Sequence, residues 1–318
     1  MPPRSVDGHR EEQTVDAMTS SHMADHHCID STGVRLHAVT WGDANKPPIV
    51  LVHGYPDNHS VWKPVAERLA ADWFVIAYDV RGAGQSDKPR AVSAYRMDLL
   101  AQDLAAVVDA LIPGCCFHLA AHDWGSIQSW ESVTTPRLEG RILSFTSISG
   151  PCLDHMGVWM RNHLLSRDGA ERAKAVRQLF SSWYILFFQL PVLAPTLWRL
   201  GFDKRWPAYL QEREGVKAPE INPYQREDGR FGVQLYRANF RRKLLRPERR
   251  YAHCPVQLVV PDGDNYVSTQ LFDELHRWVD SLQREDIEAT HWVPLTHPDR
   301  IASLISHFAR SKTTPGAL

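Results

Sequence analysis

An aspartate set between small residues at the end of an apolar run can do chemistry that a serine in the same place cannot. Ala121-His-Asp-Trp-Gly125 follows the strand-like run from Cys116 and precedes a helix-compatible stretch, so the segment reads as strand, sharp turn and helix. Small residues at both flanks let the backbone pass a tight, strained turn that pushes the central side chain into the open. A serine must lose a proton to attack, whereas a carboxylate with a reference pKa of about 3.9 is already ionised at neutral pH. Asp123 can therefore attack a carbon directly and leave a histidine free to act on water. The plainer reading of such an Asp is an N-cap of the next helix.

Two further groups belong with it. Asp264 follows the apolar run Val256-Gln-Leu-Val-Val260, and His291 follows the short run Asp286-Ile-Glu-Ala-Thr290. A parallel sheet aligns the carboxyl ends of its strands, so groups far apart in sequence converge there. Nucleophile, acid and histidine in this chain order are the order of an α/β-hydrolase triad. Asp262 and Asp154 are rivals for the orienting acid, and His297 is a rival for the histidine. His122 is expected to point the other way along its strand. Pro48-Ile-Val-Leu-Val52 delivers His53-Gly-Tyr-Pro-Asp57, and the backbone amides of Tyr55 and Trp124 are placed to form a two-donor oxyanion hole. For His53 and Pro56 a plain strand-to-helix turn is the better reading.

The elements that must position these groups alternate. Cys28 to Trp41 reads as an antiparallel edge hairpin turning at Ser31-Thr-Gly33. Pro48–Val52, Trp73–Val80, the run before Asp123 and Ile142–Ser149 read as buried parallel strands. The intervening segments Val61–Ala71 and Leu99–Leu111 read as helices, as do Phe272–Leu282 and the stretch from Pro298 to Phe308. The fold class is therefore α/β, a doubly wound and mostly parallel sheet. From Leu153 to Tyr251 the rhythm breaks into helical spacings only, which implies an inserted helical lid over the carboxyl edge. The expected organisation is a tail over 1–26, a core over 27–152 and 252–312 interrupted by a cap over 153–251, and a frayed tail over 313–318. The basic stretch Arg237 to Arg250 reads as a solvated helix face.

Composition excludes several classes. With 36 Lys and Arg against 37 Asp and Glu the net charge is −1, which argues against a general nucleic-acid binder. Five cysteines without a CxxC spacing signal neither a disulfide framework nor a zinc site, and a reducing, cytoplasmic setting is expected. The longest apolar run, Trp183 to Ala194, is interrupted by Gln189 and Pro191 and is too short to span a bilayer. The loop Arg81-Gly-Ala-Gly-Gln-Ser86 lacks the third glycine of a dinucleotide fingerprint and the Gly-Lys-Ser/Thr of a P-loop. No cofactor and no metal are expected; His22, His26 and His27 cluster without a cysteine or carboxylate frame and read as solvated.

Taken together, His53-Gly-Tyr-Pro-Asp57, Ala121-His-Asp-Trp-Gly125, Asp264 and His291-Trp292 resemble the epoxide hydrolase and haloalkane dehalogenase branch of the α/β-hydrolases, over about Cys28 to Ala309. Ala121 and Ser126 stand where many relatives have glycine, and both are small enough for the turn. The resemblance implies an aspartate that attacks an sp3 carbon and forms an alkyl-enzyme ester. Tyr184-Ile-Leu-Phe-Phe188-Gln-Leu-Pro191 and Leu235-Tyr236-Arg237 are similar to the family's two lid-tyrosine segments, which implies that Tyr184 and Tyr236 protonate an epoxide oxygen. The plainer reading of each is an amphipathic core tyrosine. His53, Trp183, Phe188 and Trp292 are further candidates for lining the substrate. The implied reaction partners are a small apolar epoxide and water; monomer and homodimer stay open. A dehalogenase using the same nucleophile is the alternative, with a slow ligand-binding relative behind it and a carboxylesterase last, since Ser126 lies three residues past the apex.

Overall fold

The computed structural model describes residues 24–181 and 183–313, with the side chains of 180–184 outside the description. Eight strands form one sheet: β1 (Asp25–Ser31), β2 (Val34–Trp41), β3 (Pro48–Val52), β4 (Phe74–Tyr78), β5 (Phe117–His122), β6 (Ile142–Ile148), β7 (Val256–Pro261) and β8 (Leu282–Ile287). Their order is β1-β2-β4-β3-β5-β6-β7-β8. The β1–β2 hairpin and the β2–β4 pair are antiparallel, and every later pair is parallel. The central strands β3 and β5 are buried along nearly their whole length, β3 as a continuous apolar run and β5 with two buried histidines, His118 and His122, among its apolar residues.

Helices α1 (Lys63–Leu69), α2 (Met97–Leu111) and α3 (Trp124–Val133) connect the first strands. Between β6 and β7 the described residues form only helices: α4 (Leu153–Leu164), α5 (Gly169–Ser181), α6 (Trp183–Phe188), α7 (Leu193–Leu197), α8 (Asp203–Glu214) and α9 (Gln225–Leu245). The short α10 (Val293–Thr296) and α11 (Pro298–Lys312) close the chain. Helix α9 seats directly on the core because it carries no side chain at Gly232: a Cβ there would lie 2.5 Å from the Tyr55 ring.

Three expectations are corrected. Asp25 and His26, expected in the tail, pair with Thr40 and Val39 as the start of β1. The segment Phe272–Leu282 is not an α-helix but two 3-10 turns, Thr269–Phe272 and Leu275–Arg277. Its carbonyls serve other partners, the Trp278 carbonyl accepting from the Ala252 amide and the Ser281 carbonyl from the Val256 amide, so an α-helical ladder cannot continue. Leu282 then opens β8, which runs to Ile287 rather than over 286–290, because its register is set by pairing with β7 from Val256–Leu282 to Pro261–Ile287. Residues 1–23 and 314–318, expected as tails, lie outside the described residues.

Candidate active site

Asp123 sits between β5 and α3 with φ 53° and ψ −125°, a strained left-handed conformation for a residue with a side chain. The turn is this tight because α3 packs against β3: a Cβ on Gly125 would lie 2.1 Å from the Val52 carbonyl oxygen. Ser126 is buried beneath the elbow, its hydroxyl donating to the Gly150 carbonyl, which removes it as a nucleophile.

The two oxygens of Asp123 face different partners. Oδ1 accepts from the Tyr55 amide at 2.7 Å, and Oδ2 lies 3.5 Å from His291 Nε2. Trp124 is the first residue of α3, so its amide belongs to the first-turn donors that have no partner within the helix. His291 Nδ1 meets Asp264 Oδ2 at 2.8 Å, and Asp264 Oδ1 accepts from the amides of Tyr266 and Val267 at 2.8 and 3.0 Å. Burial opposes charge on His291, yet the Asp264 and Asp123 carboxylates outweigh it and raise its pKa well above 6.5. Burial also works against the Asp264 carboxylate, but His291 and the two amides hold its pKa below the usual range. Both partners thus favour the ion pair.

The rivals are elsewhere. Asp154 is bound to Lys243 and Arg250, Asp262 accepts from the Ala289 amide, and His297 is exposed. His122 does not turn its back on the site: its Nε2 bonds the His291 carbonyl at 2.8 Å from beneath. His53 has both ring nitrogens committed, Nδ1–H to the Gly54 carbonyl and Nε2 to the Val80 amide, so its ring holds the turn. The Trp292 indole N–H is likewise spent on Asp57 Oδ2, at 2.9 Å.

The lid supplies an aromatic roof. Tyr236 on α9 is buried, its ring 4.8 Å from that of Trp124 and 4.6 Å from that of Phe188. Phe188 in turn packs edge-on to Tyr55 at 5.5 Å. The side chains of Tyr184 and Trp183 lie outside the described residues, although their backbone is in α6. A small cavity flanking Trp124 is lined by His53, Gly54, Tyr55, Gln128 and Leu235, and Asp123 is not among its walls.

Two carboxyls near His291 escaped the sequence reading. Glu214, the last residue of α8, is buried and accepts from the His291 amide at 3.2 Å and from the Tyr266 hydroxyl at 3.3 Å. Burial raises its pKa. It sits in no motif, so nothing in sequence marks it. Asp57 lies in the His53–Asp57 motif, which did offer a signal, and burial pushes its carboxyl up to about 7.

A parallel sheet that gathers an acid, a histidine and a second acid at its carboxyl edge, under a helical insertion, is the architecture of a hydrolase with a side-chain nucleophile. Residues 47–298 match the family model described as the alpha/beta hydrolase fold, and the chain belongs to that family. It is 36% identical over 291 residues to a protein named probable oxidoreductase EphD of Mycobacterium tuberculosis, an overlap covering 88% of this chain and 49% of that protein. The chain thus spans about half the length of this curated relative. It is 26% identical over 311 residues to epoxide hydrolase 3 of Xenopus tropicalis, covering 92% and 80% of the two chains. Among solved structures, a mutant of an epoxide hydrolase from Bacillus megaterium superposes with a TM-score of 0.74 at 21% identity, over 89% of this chain and 100% of that one. That likeness defines the fold.

Proposed function

We propose that this chain hydrolyses an epoxide to a vicinal diol through a covalent ester on Asp123. The observation that carries the reading is the division of labour between the Asp123 oxygens: Oδ1 is held by the Tyr55 amide, and Oδ2 faces the histidine side of the site. Relatives named epoxide hydrolase support the substrate class.

In the first step Oδ2 attacks an epoxide carbon in line with the breaking C–O bond, and the ring oxygen takes a proton from the lid tyrosines Tyr184 and Tyr236. An alkoxide developing under an aromatic roof needs such a donor because little water can solvate it there. In the second step His291, oriented by Asp264, takes a proton from water, and the resulting hydroxide attacks the ester carbon. The carbonyl electrons move onto Oδ1, where the amides of Tyr55 and Trp124 stabilise the oxyanion. Collapse expels the diol oxygen, which takes the proton held by His291, and the proton of the nascent Asp123 carboxyl returns to the tyrosine that gave one up, restoring the carboxylate. No cofactor is needed to balance either step.

Alkylation also readies the base. The Asp123 charge is one reason that His291 favours its protonated form, and esterification removes that charge. The imidazole then holds its proton less strongly, with the Asp264 carboxylate still facing the ring. A single turnover in heavy-oxygen water tests the scheme: the label should enter Asp123 and leave the first diol unlabelled. Label found at once in the diol would end the proposal.

A haloalkane dehalogenase is the second reading, favoured by one observation. The buried Trp124 indole N–H has no hydrogen-bond partner among the described residues, and such a donor suits a departing halide. Against it, the Tyr55 hydroxyl is already engaged by the Gly229 carbonyl and the Trp198 indole, so it is no second halide donor. Halide release from a haloalkane panel, set beside diol formation from an epoxide panel, separates the two.

A further inference from the structure

The histidine at position 26 gains in the folded chain the frame that its sequence neighbours lack. Its Nδ1 lies 2.8 Å from Nε2 of His37 on β2. The other nitrogen of His37 bonds Oδ2 of Asp79 at 2.8 Å, and Nδ1 of His59 bonds Oδ1 of the same carboxylate at 2.7 Å. Asp79 has no exposed side-chain surface, and the amides of His59 and Gln85 complete its contacts. One donor atom from each of His37, His59 and Asp79 lies within 4.8 Å of the others.

We propose that His37, His59 and Asp79, with His26 at the mouth, form a site for one divalent transition-metal ion of the zinc class. Two imidazole nitrogens beside a carboxylate oxygen select such ions over magnesium or calcium. The ring centres of His37 and His59 are 5.0 Å apart, close to the separation of about 5 Å expected for two imidazoles sharing a tetrahedral ion at about 2.0–2.1 Å. Entry of the ion moves each ring proton from Nδ1 to Nε2 and opens the nitrogen–oxygen contacts toward about 3.4 Å, the donor spacing in a tetrahedral site. No proton is lost overall, because a neutral imidazole keeps one. The Nε2–H thereby created on His37 meets His26 Nδ1, which accepts it, and an orienting acceptor of this kind accompanies most metal-bound histidines. Water completes the coordination.

The site reaches the catalytic face through its loop. The amide of Val80, next to Asp79, donates to His53, and the amide of Gly84 donates to Asp228 of α9 at 2.8 Å. A bound ion would therefore brace the segment 79–86 between the β1–β2 edge and the lid.

The test uses the full chain without a histidine tag, washed with chelator and titrated with zinc by calorimetry. One equivalent should bind, cobalt should give the intense visible bands of a four-coordinate site, and the melting temperature should rise with zinc. His59→Gln should weaken binding at least tenfold by removing a ligand, and the exposed His26→Phe by about 10–100-fold through the lost acceptor. His297→Gln, on a remote exposed histidine, should change nothing. Absence of stoichiometric uptake by the unmodified chain overturns the proposal, as does an unchanged affinity in either His59→Gln or His26→Phe. Since His26 is at the surface, its variant remains informative even if His59→Gln does not fold.

Discussion

Two carboxylates face His291 and both favour its protonated form, and the proposed cycle removes the charge of one of them. Replacing it by Gln should leave ring opening intact and trap the ester, so intact mass should show the chain plus one substrate. A turned-over epoxide with no adduct would contradict the two-step scheme. Because alkylation neutralises Asp123, His291 should titrate lower in the ester than in the free enzyme. Stopped-flow measurement should then find that ester hydrolysis falls with acid only below the pH at which the free enzyme titrates; coincident profiles would show that Asp123 does not tune the base. In the proposed scheme Tyr236 acts in the first step alone. Tyr236→Phe should slow alkylation by about 10–1,000-fold, in the range of a lost acid or hydrogen-bond donor, while ester hydrolysis changes little. Equal slowing of both steps would remove its role as a proton donor.

Helix α9 positions that tyrosine, and polar pins rather than apolar burial alone set its height over the sheet. Asn239 accepts from the Met97 amide at 3.0 Å and donates to the Tyr95 carbonyl at 2.8 Å. Asp228 takes the Gly84 amide and the Asn58 side chain, and Gln225 donates to the Pro56 carbonyl. All three residues are buried, so losing one leaves core backbone groups without partners. Asn239→Ala should cost about 1–3 kcal/mol in urea unfolding, the penalty for stranding a buried donor and acceptor. It should also slow alkylation, because Tyr236 lies one turn away on the same helix. A stable variant with normal alkylation would mean that apolar packing alone seats α9.

The whole molecule buries more imidazole than its fold can keep charged. His53, His118, His122 and His155 are each pushed down to about 4 by burial. The unfolded chain binds protons at these sites below about pH 6.5 while the folded chain does not, so their contribution to stability is full above about pH 6.5 and drains away toward pH 4. Asp57 and Asp228, raised to about 7 by burial, work in the opposite sense, stabilising below about 3.8 and losing that contribution as pH rises through 7. Each group contributes a slope of about 1.4 kcal/mol per pH unit, and the histidines outnumber the acids. The melting temperature should therefore fall between pH 6.5 and 4.5; a rise across that interval would show that the buried acids dominate.

The candidate chemistry was legible because it is written locally. Small residues beside Asp123, the run that feeds it and the chain order with Asp264 and His291 are covalent facts, and a parallel sheet leaves few places where three strand ends can meet. The same local logic located β3 to its exact residues and all of the inserted helices as a class. It failed where backbone groups found partners across the chain, as at Phe272–Leu282, whose Trp278 and Ser281 carbonyls are claimed by the amides of Ala252 and Val256. It failed too where a side chain's role depends on what the fold sets against it. Glu214 reaches the His291 amide, His53 spends its ring on a turn, and His26 meets His37 beside Asp79, each through contacts between residues at least 11 positions apart or between neighbours whose geometry the turn imposes. Sequence alone thus singled out the candidate nucleophile and the chain order of its candidate helpers, since those rest on residue type and chain direction. Only the tertiary structure decided which buried polar atoms face one another, because that depends on the packing of elements whose separation along the chain says nothing of their distance.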